Sequence, residues 1–223
     1  MNRLRERVLE SYGQMNLPSW PDPHPGMSAP ADEEYSRVTD PGRYRIVHER
    51  ARAWAASLGL VPGVEKQVLD LTTQGADGPG WHFERGLRLA SGRPGTLPLL
   101  LLESDARPGA VGSTAGLRIS VVRPELELLT VPGCGCDACD DGSDFLLREI
   151  DDTIGQVVGG PFVMLRGKGW QAQWHPDGGS YSQSGHSHPP YDRVVDWCRR
   201  LASGESPRLP TETEKHVGYS WLE

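Results

Sequence analysis

The sequence is poor in lysine, in long apolar runs and in cysteine. Three lysines stand against twenty arginines. Together these 23 cations are outnumbered by 30 acidic residues, for a net charge of −7 with no dominant basic patch. A nucleic-acid partner is therefore disfavoured. The longest apolar run is Leu97–Leu102 (LPLLLL), far short of the ~20 residues that cross a bilayer. No membrane association is expected. The first residues, MNRLRERVLESYG, lack the apolar core and small-residue cleavage site of a secretory signal. The expected location is thus the cytoplasm, where thiols stay reduced. Also missing are the G-x-x-x-x-G-K-[ST] phosphate loop, the G-x-S-x-G elbow and the H-E-x-x-H zinc helix. GCGCDA fits G-x-G-x-x-A, but the surrounding pattern lacks the strand-into-helix setting of a dinucleotide loop.

Apolar residues are plentiful enough, at 37%, to build a core, so wholesale disorder is excluded. Glycine and proline make up 46 of 223 residues and predict a loop-rich fold. Leu4, Val8 and Tyr12 lie four apart and predict a helix over 2–13. A proline-rich arm follows at 16–32, able either to wrap the domain through Trp20 or to stay mobile. Asp40 and Pro41 read as N-cap and first helical residue of a helix over 41–58, with Tyr44, Val47, Ala51, Trp54 and Leu58 as its apolar stripe. Five stretches then carry strand patterns, at 68–73, 81–90, 98–103, 117–122 and 125–131, with no helix between them. Such a succession argues for an antiparallel meander. A helix capped by Ser143 or Asp144 follows, then a hairpin at 161–167 and 169–175. After it come a Gly/Ser/His loop, a helix over 190–203 with Val194, Trp197, Cys198 and Leu201 facing inward, and a loosely packed tail that Tyr219, Trp221 and Leu222 could dock. The expected fold class is α+β: an antiparallel meander sheet of about five to seven strands packed on about three to four helices. The expected organisation is a helix and arm at 1–33, one α+β domain at 34–205 and a tail at 206–223.

Three of the four cysteines sit within six residues: Cys134, Cys136 and Cys139, in VPGCGCDACD. C-x-x-C is a common chelating spacing, and zinc wants four soft ligands at tetrahedral angles. The three thiols are candidate metal ligands on a loop between a strand and a helix. Cys198, His186 and His188 are candidates for the fourth position. Asp137, Asp140, Asp141 and Asp144 surround the cysteines; such a field raises thiol pKa values and attracts a cation. A disulfide or redox role and unliganded small residues in a tight loop are the competing readings. Asp151 and Asp152 look solvated, and Trp81, Trp170, Trp174 and Trp197 look like core.

Two stretches, EYSRVTDPGRYRIVHERARAWAASLG (34–59) and TVPGCGCDACD (130–140), resemble the signature segments of a bacterial, mainly actinobacterial, domain-of-unknown-function family catalogued as 6226. In that family an (A/E)Y-x-R-V-T-(N/D)-P-x-R-(F/Y) element leads a helix, and a P-x-CGCDAC element follows a strand. Val131 stands here where the family often has an aromatic. The resemblance covers about residues 34–160 and implies one intact domain, and no activity or site residues come with it. Three functions remain open. One is a non-enzymatic domain with a structural zinc at the cysteine loop and a protein partner. The second is an enzyme whose metal has an open position near His186 or His188. The third is a metal-free small-molecule binder with a Trp-lined pocket.

Overall fold

The computed structural model describes residues 1–26, 28–71, 81–106, 113–184 and 188–222. The fold is α+β, with four α-helices and two antiparallel sheets of five and four strands among these residues. No helix among them is long and apolar enough to cross a membrane. The chain divides into two compact units, residues 1–90 with 98–154, and residues 91–97 with 155–223.

In the first unit, α1 (Asn2–Gly13) and α2 (Ile46–Leu58) accompany strands β1 (Val64–Asp70), β2 (Arg85–Ser91), β3 (Leu99–Ser104), β4 (Gly116–Val121) and β5 (Glu127–Val131) in sequential order. The LLLL run makes β3 the central strand, buried along its whole length. Leu100 and Leu102 pack with Leu71, Trp81 and Phe83 on one face. Leu101 stands between Leu87 and Ile119 on its neighbours. Helix α2 meets β4 where His48 Nε2 donates to the Gly116 carbonyl at 2.9 Å. It meets α3 (Ser143–Gly159) where Trp54 Nε1 and the guanidinium of the buried Arg50 both donate to Asp151. Asp151 is thus not solvated as its helical position suggested. Asp152, half-exposed, pairs with Arg5 at 3.0 Å.

The start of α2 also differs from expectation. Asp40 adopts a left-handed conformation (φ 47°) and makes no side-chain cap. Residues Pro41–Arg45 form a 3-10 turn, and the α-helix begins only at Ile46. The turn swings Arg43 toward a carboxylate about one hundred residues away, described below.

In the second unit, β6 (Phe162–Gly167) and β7 (Trp170–His175) form the expected hairpin. Helix α4 (Tyr191–Ala202) covers one face, with Val194, Trp197, Cys198 and Leu201 against Val163, Leu165, Trp170 and Ala172. Two strands were not foreseen. Residues Gly178–Gln183, read as loop, form β8 and pair with β7. A Cβ at Gly179 would lie 2.3 Å from the Gln173 carbonyl, so the absence of a side chain is what lets the strands close up. The tail supplies β9 (Glu214–Gly218), which fills the open side of the apolar β6. Beyond it Trp221 is buried, and its amide donates to the Val158 carbonyl at 2.9 Å. The tail is therefore part of this unit's core.

Candidate functional site

The cysteine loop leaves β5 at Val131 and enters α3 at Ser143. Gly135, between two of the cysteines, has φ +80°, and a Cβ there would meet the Thr114 hydroxyl at 2.8 Å. Residues Asp137–Cys139 close a single 3-10 turn, with the Cys139 amide donating to the Cys136 carbonyl at 3.1 Å. This compact path gathers the three sulfurs. Cys134 Sγ and Cys136 Sγ are 3.1 Å apart. All three ligating atoms lie within 4.8 Å of one another, and the three thiols could hold a metal ion. Cys134 and Cys139 are exposed, and Cys136 is half-buried.

The thiols differ in acidity. Burial raises the Cys134 thiol, but hydrogen bonds from the Cys136 backbone and from the Cys136 and Cys139 thiols outweigh it and set it below the ordinary value. Cys139 is pushed up to about 12 by its hydrogen bonds to Cys134 and Cys136, with burial adding to the effect. The cluster thus gives up its first proton more readily than a lone thiol and holds its last one longer, the steps belonging to the group as a whole.

Of the four aspartates around the cysteines, Asp141 and Asp144 are exposed, while Asp137 and Asp140 are turned inward and paired. Asp137 lies beneath the loop and accepts from the Thr39 amide at 2.7 Å, the Thr39 hydroxyl at 2.7 Å and Arg37 Nε at 2.6 Å. Its own amide donates to the Arg37 carbonyl at 2.9 Å. Burial raises its carboxyl, and these bonds bring it below the usual carboxylate range. The buried Asp140 accepts from Arg43, from Trp20 Nε1 at 2.9 Å and from the Gly142 amide at 2.9 Å. Both carboxylates are matched by arginines, so they tie the loop to residues 37–43. The two stretches that carry the family resemblance are one physical unit.

The proline-rich arm completes that unit. Trp20 exchanges backbone and side-chain hydrogen bonds with Ser143 and meets Tyr44 edge-on, with ring centres 5.5 Å apart. The Arg43 guanidinium lies 4.5 Å over the Trp20 ring. His24 Nε2 donates to the Asp137 carbonyl at 3.2 Å. Trp20, Arg37, Thr39, Arg43 and the two aspartates line a cavity of about 330 Å³ beside the loop. Of these partners, the sequence pointed only to Trp20 as a docking residue. His24 carries no local signal, because its role depends on a loop 113 residues away.

The other sequence candidates belong to the second unit or lie outside the described residues. Cys198 belongs to the second unit, buried in the α4 face, and burial pushes its thiol up to about 12. His188, also in the second unit, lies with its Nδ1 3.5 Å from the Tyr181 hydroxyl. His186 lies outside the described residues. Among the described residues, the group of close ligating atoms holds only Cys134, Cys136 and Cys139.

A family model described as "Family of unknown function (DUF6226)" matches residues 9–223, and the chain belongs to that family. The match takes in both units and the C-terminal strand. No curated protein and no solved structure matches the chain.

Proposed function

We propose that this member of the DUF6226 family is a binding domain whose cysteine loop holds one zinc-type ion through Cys134, Cys136 and Cys139. The observation that carries the reading is the convergence of three sulfurs within 4.8 Å on a surface loop. Thiolates at such distances suit a soft, tetrahedral ion. A closed structural centre would need a fourth protein donor. Cys198 is poorly suited, sealed among apolar side chains. The loop is also pinned by Asp137 and Asp140, so its shape does not depend on an ion. In this reading the fourth position faces solvent and takes water or a donor atom from a partner or small molecule.

Elemental analysis of protein made without added metal tests the ion, and cobalt(II) substitution tests its ligands. We expect one zinc per chain and a thiolate-to-cobalt charge-transfer band that weakens in Cys136→Ala. Added imidazole or a small thiol should shift the cobalt ligand-field bands. Metal-free protein with no charge-transfer band would remove the reading. A tetrathiolate spectrum insensitive to added donors would remove the open position alone.

A further inference from the structure

The chain is acidic overall, with a net charge of −7. Its second unit nevertheless holds a cavity of about 630 Å³ whose charged lining, among the described residues, is basic: Lys168, Arg193 and Arg208. The half-buried His188 also lines it, and none of the described lining residues is a carboxylate. Among the described residues, no ion pair or hydrogen bond engages the head groups of those three cations. By contrast Arg200, on α4 like Arg193, is paired with Asp196 and Glu205. Three like charges converging on a concave surface repel one another and draw in an anion.

Apart from Thr211, the rest of the lining is apolar. Trp170 and Trp197 are buried in the α4–sheet core, yet both contribute to the cavity wall. The Arg193 guanidinium stacks 5.3 Å from the Trp197 ring centre, which holds a planar, hydrogen-bonding cation against an aromatic face. Pro189 and Pro190 bring in the N-terminal end of α4, the positive end of its dipole. The volume falls within the ~300–1,000 Å³ typical of small-molecule pockets.

We propose that this cavity binds a phosphate monoester carried on a flat apolar body. The phosphate sits among Lys168, Arg193 and Arg208, and the flat group lies against the tryptophan wall. Three cations match the roughly −1.5 to −2 charge of a phosphate monoester better than the single charge of a carboxylate. The site stands apart from the cysteine loop in residues and in chemistry, and does not depend on the metal reading.

Calorimetric titration of the full chain with phenyl phosphate tests it, with inorganic phosphate, benzoate and phenol as comparison probes. Phenyl phosphate should saturate one site at least about tenfold more tightly than inorganic phosphate or benzoate, and phenol should not bind. Arg193→Gln and Arg208→Gln should each weaken phenyl phosphate about fivefold or more; both side chains are exposed, so Arg208→Gln should keep the unfolding midpoint and Arg193→Gln, which loses its Trp197 contact, should lower it only by a few degrees, about 2–4 °C. Arg199→Gln, on the same helix but outside this cavity, should leave affinity unaltered. The absence of saturable binding up to about 5 mM phenyl phosphate overturns the proposal. So does equal binding of benzoate or inorganic phosphate, or full affinity in both glutamine variants.

Discussion

Replacing Asp137 by alanine removes the support under the cysteine loop without touching a sulfur. Its side chain is only 10% exposed. It receives two bonds from Thr39, at 2.7 Å each, and one from Arg37. A hydrogen bond to a charged acceptor contributes about 1.5–3 kcal/mol, and neighbouring bonds do not add fully. The Arg37 guanidinium is 55% exposed, so solvent screens its share and the Thr39 bonds dominate. Asp137→Ala should therefore destabilise the first unit by about 2–4 kcal/mol, lowering its midpoint by about 5–15 °C. Asp137→Asn keeps one acceptor oxygen and should lose about 1–2 kcal/mol. Arg37→Ala should be much milder than either. Thermal and urea unfolding give the global values, and hydrogen exchange at the Thr39 amide reports the local one. The reasoning fails if Asp137→Ala stays within about 0.5 kcal/mol of the parent, or if Arg37→Ala is equally damaging.

Other consequences follow from neighbouring contacts. Asp140→Ala deprives Arg43, Trp20 and the Gly142 amide of their common acceptor; limited proteolysis should then cut within residues 13–26 well before the body of the protein. Glu103 accepts from Arg52 at 2.7 and 2.9 Å and from Arg85 at 2.9 Å. Burial opposes its ionisation, but the Arg52 bonds, the His48 field and Arg85 outweigh it and lower its pKa from 4.5. A lowered carboxylate contributes stability above its unfolded value and loses it as pH falls through the folded one. Unfolding free energy should thus decline below pH 4.5 less steeply in Glu103→Gln than in the parent, as urea titrations at stepped pH would show. Trp221→Ala should destabilise the second unit by about 3–5 kcal/mol in calorimetric scans, since the indole is fully buried.

Much of the architecture could be read from local pattern. Val194, Trp197, Cys198 and Leu201 recur at helical spacing, and all four are buried on α4. The unbroken leucines of β3 announced a strand covered on both faces. Strand β8 escaped because Gly178, Gly179 and Ser180 carry no alternation; the partner strand, not its own side chains, makes it a strand. Strand β9 escaped for a related reason, since its role is set by the empty side of β6. At the candidate site, the three cysteines were legible because spacing within six residues limits how far sulfurs can separate. Their environment was not. The four aspartates look like a cation trap when counted along the chain, but Arg37 and Arg43 arrive from about one hundred residues upstream and balance two of them, Asp137 and Asp140. Asp151 was misread in the same way, because Arg50 and Trp54 lie on another helix.

The seating of Trp20, Arg37 and Arg43 also bears on synthesis. Their partners Asp137, Asp140 and Ser143 stand 97 to 123 positions later. At ribosomal rates of about 5–20 residues per second, these side chains wait on the order of 5–20 seconds before anything exists for them to grip. Throughout that interval the aromatic and cationic arm is available to chaperones and proteases. Its capture is then a late event of biogenesis, and a nascent chain stalled before the cysteine codons would leave the arm untethered.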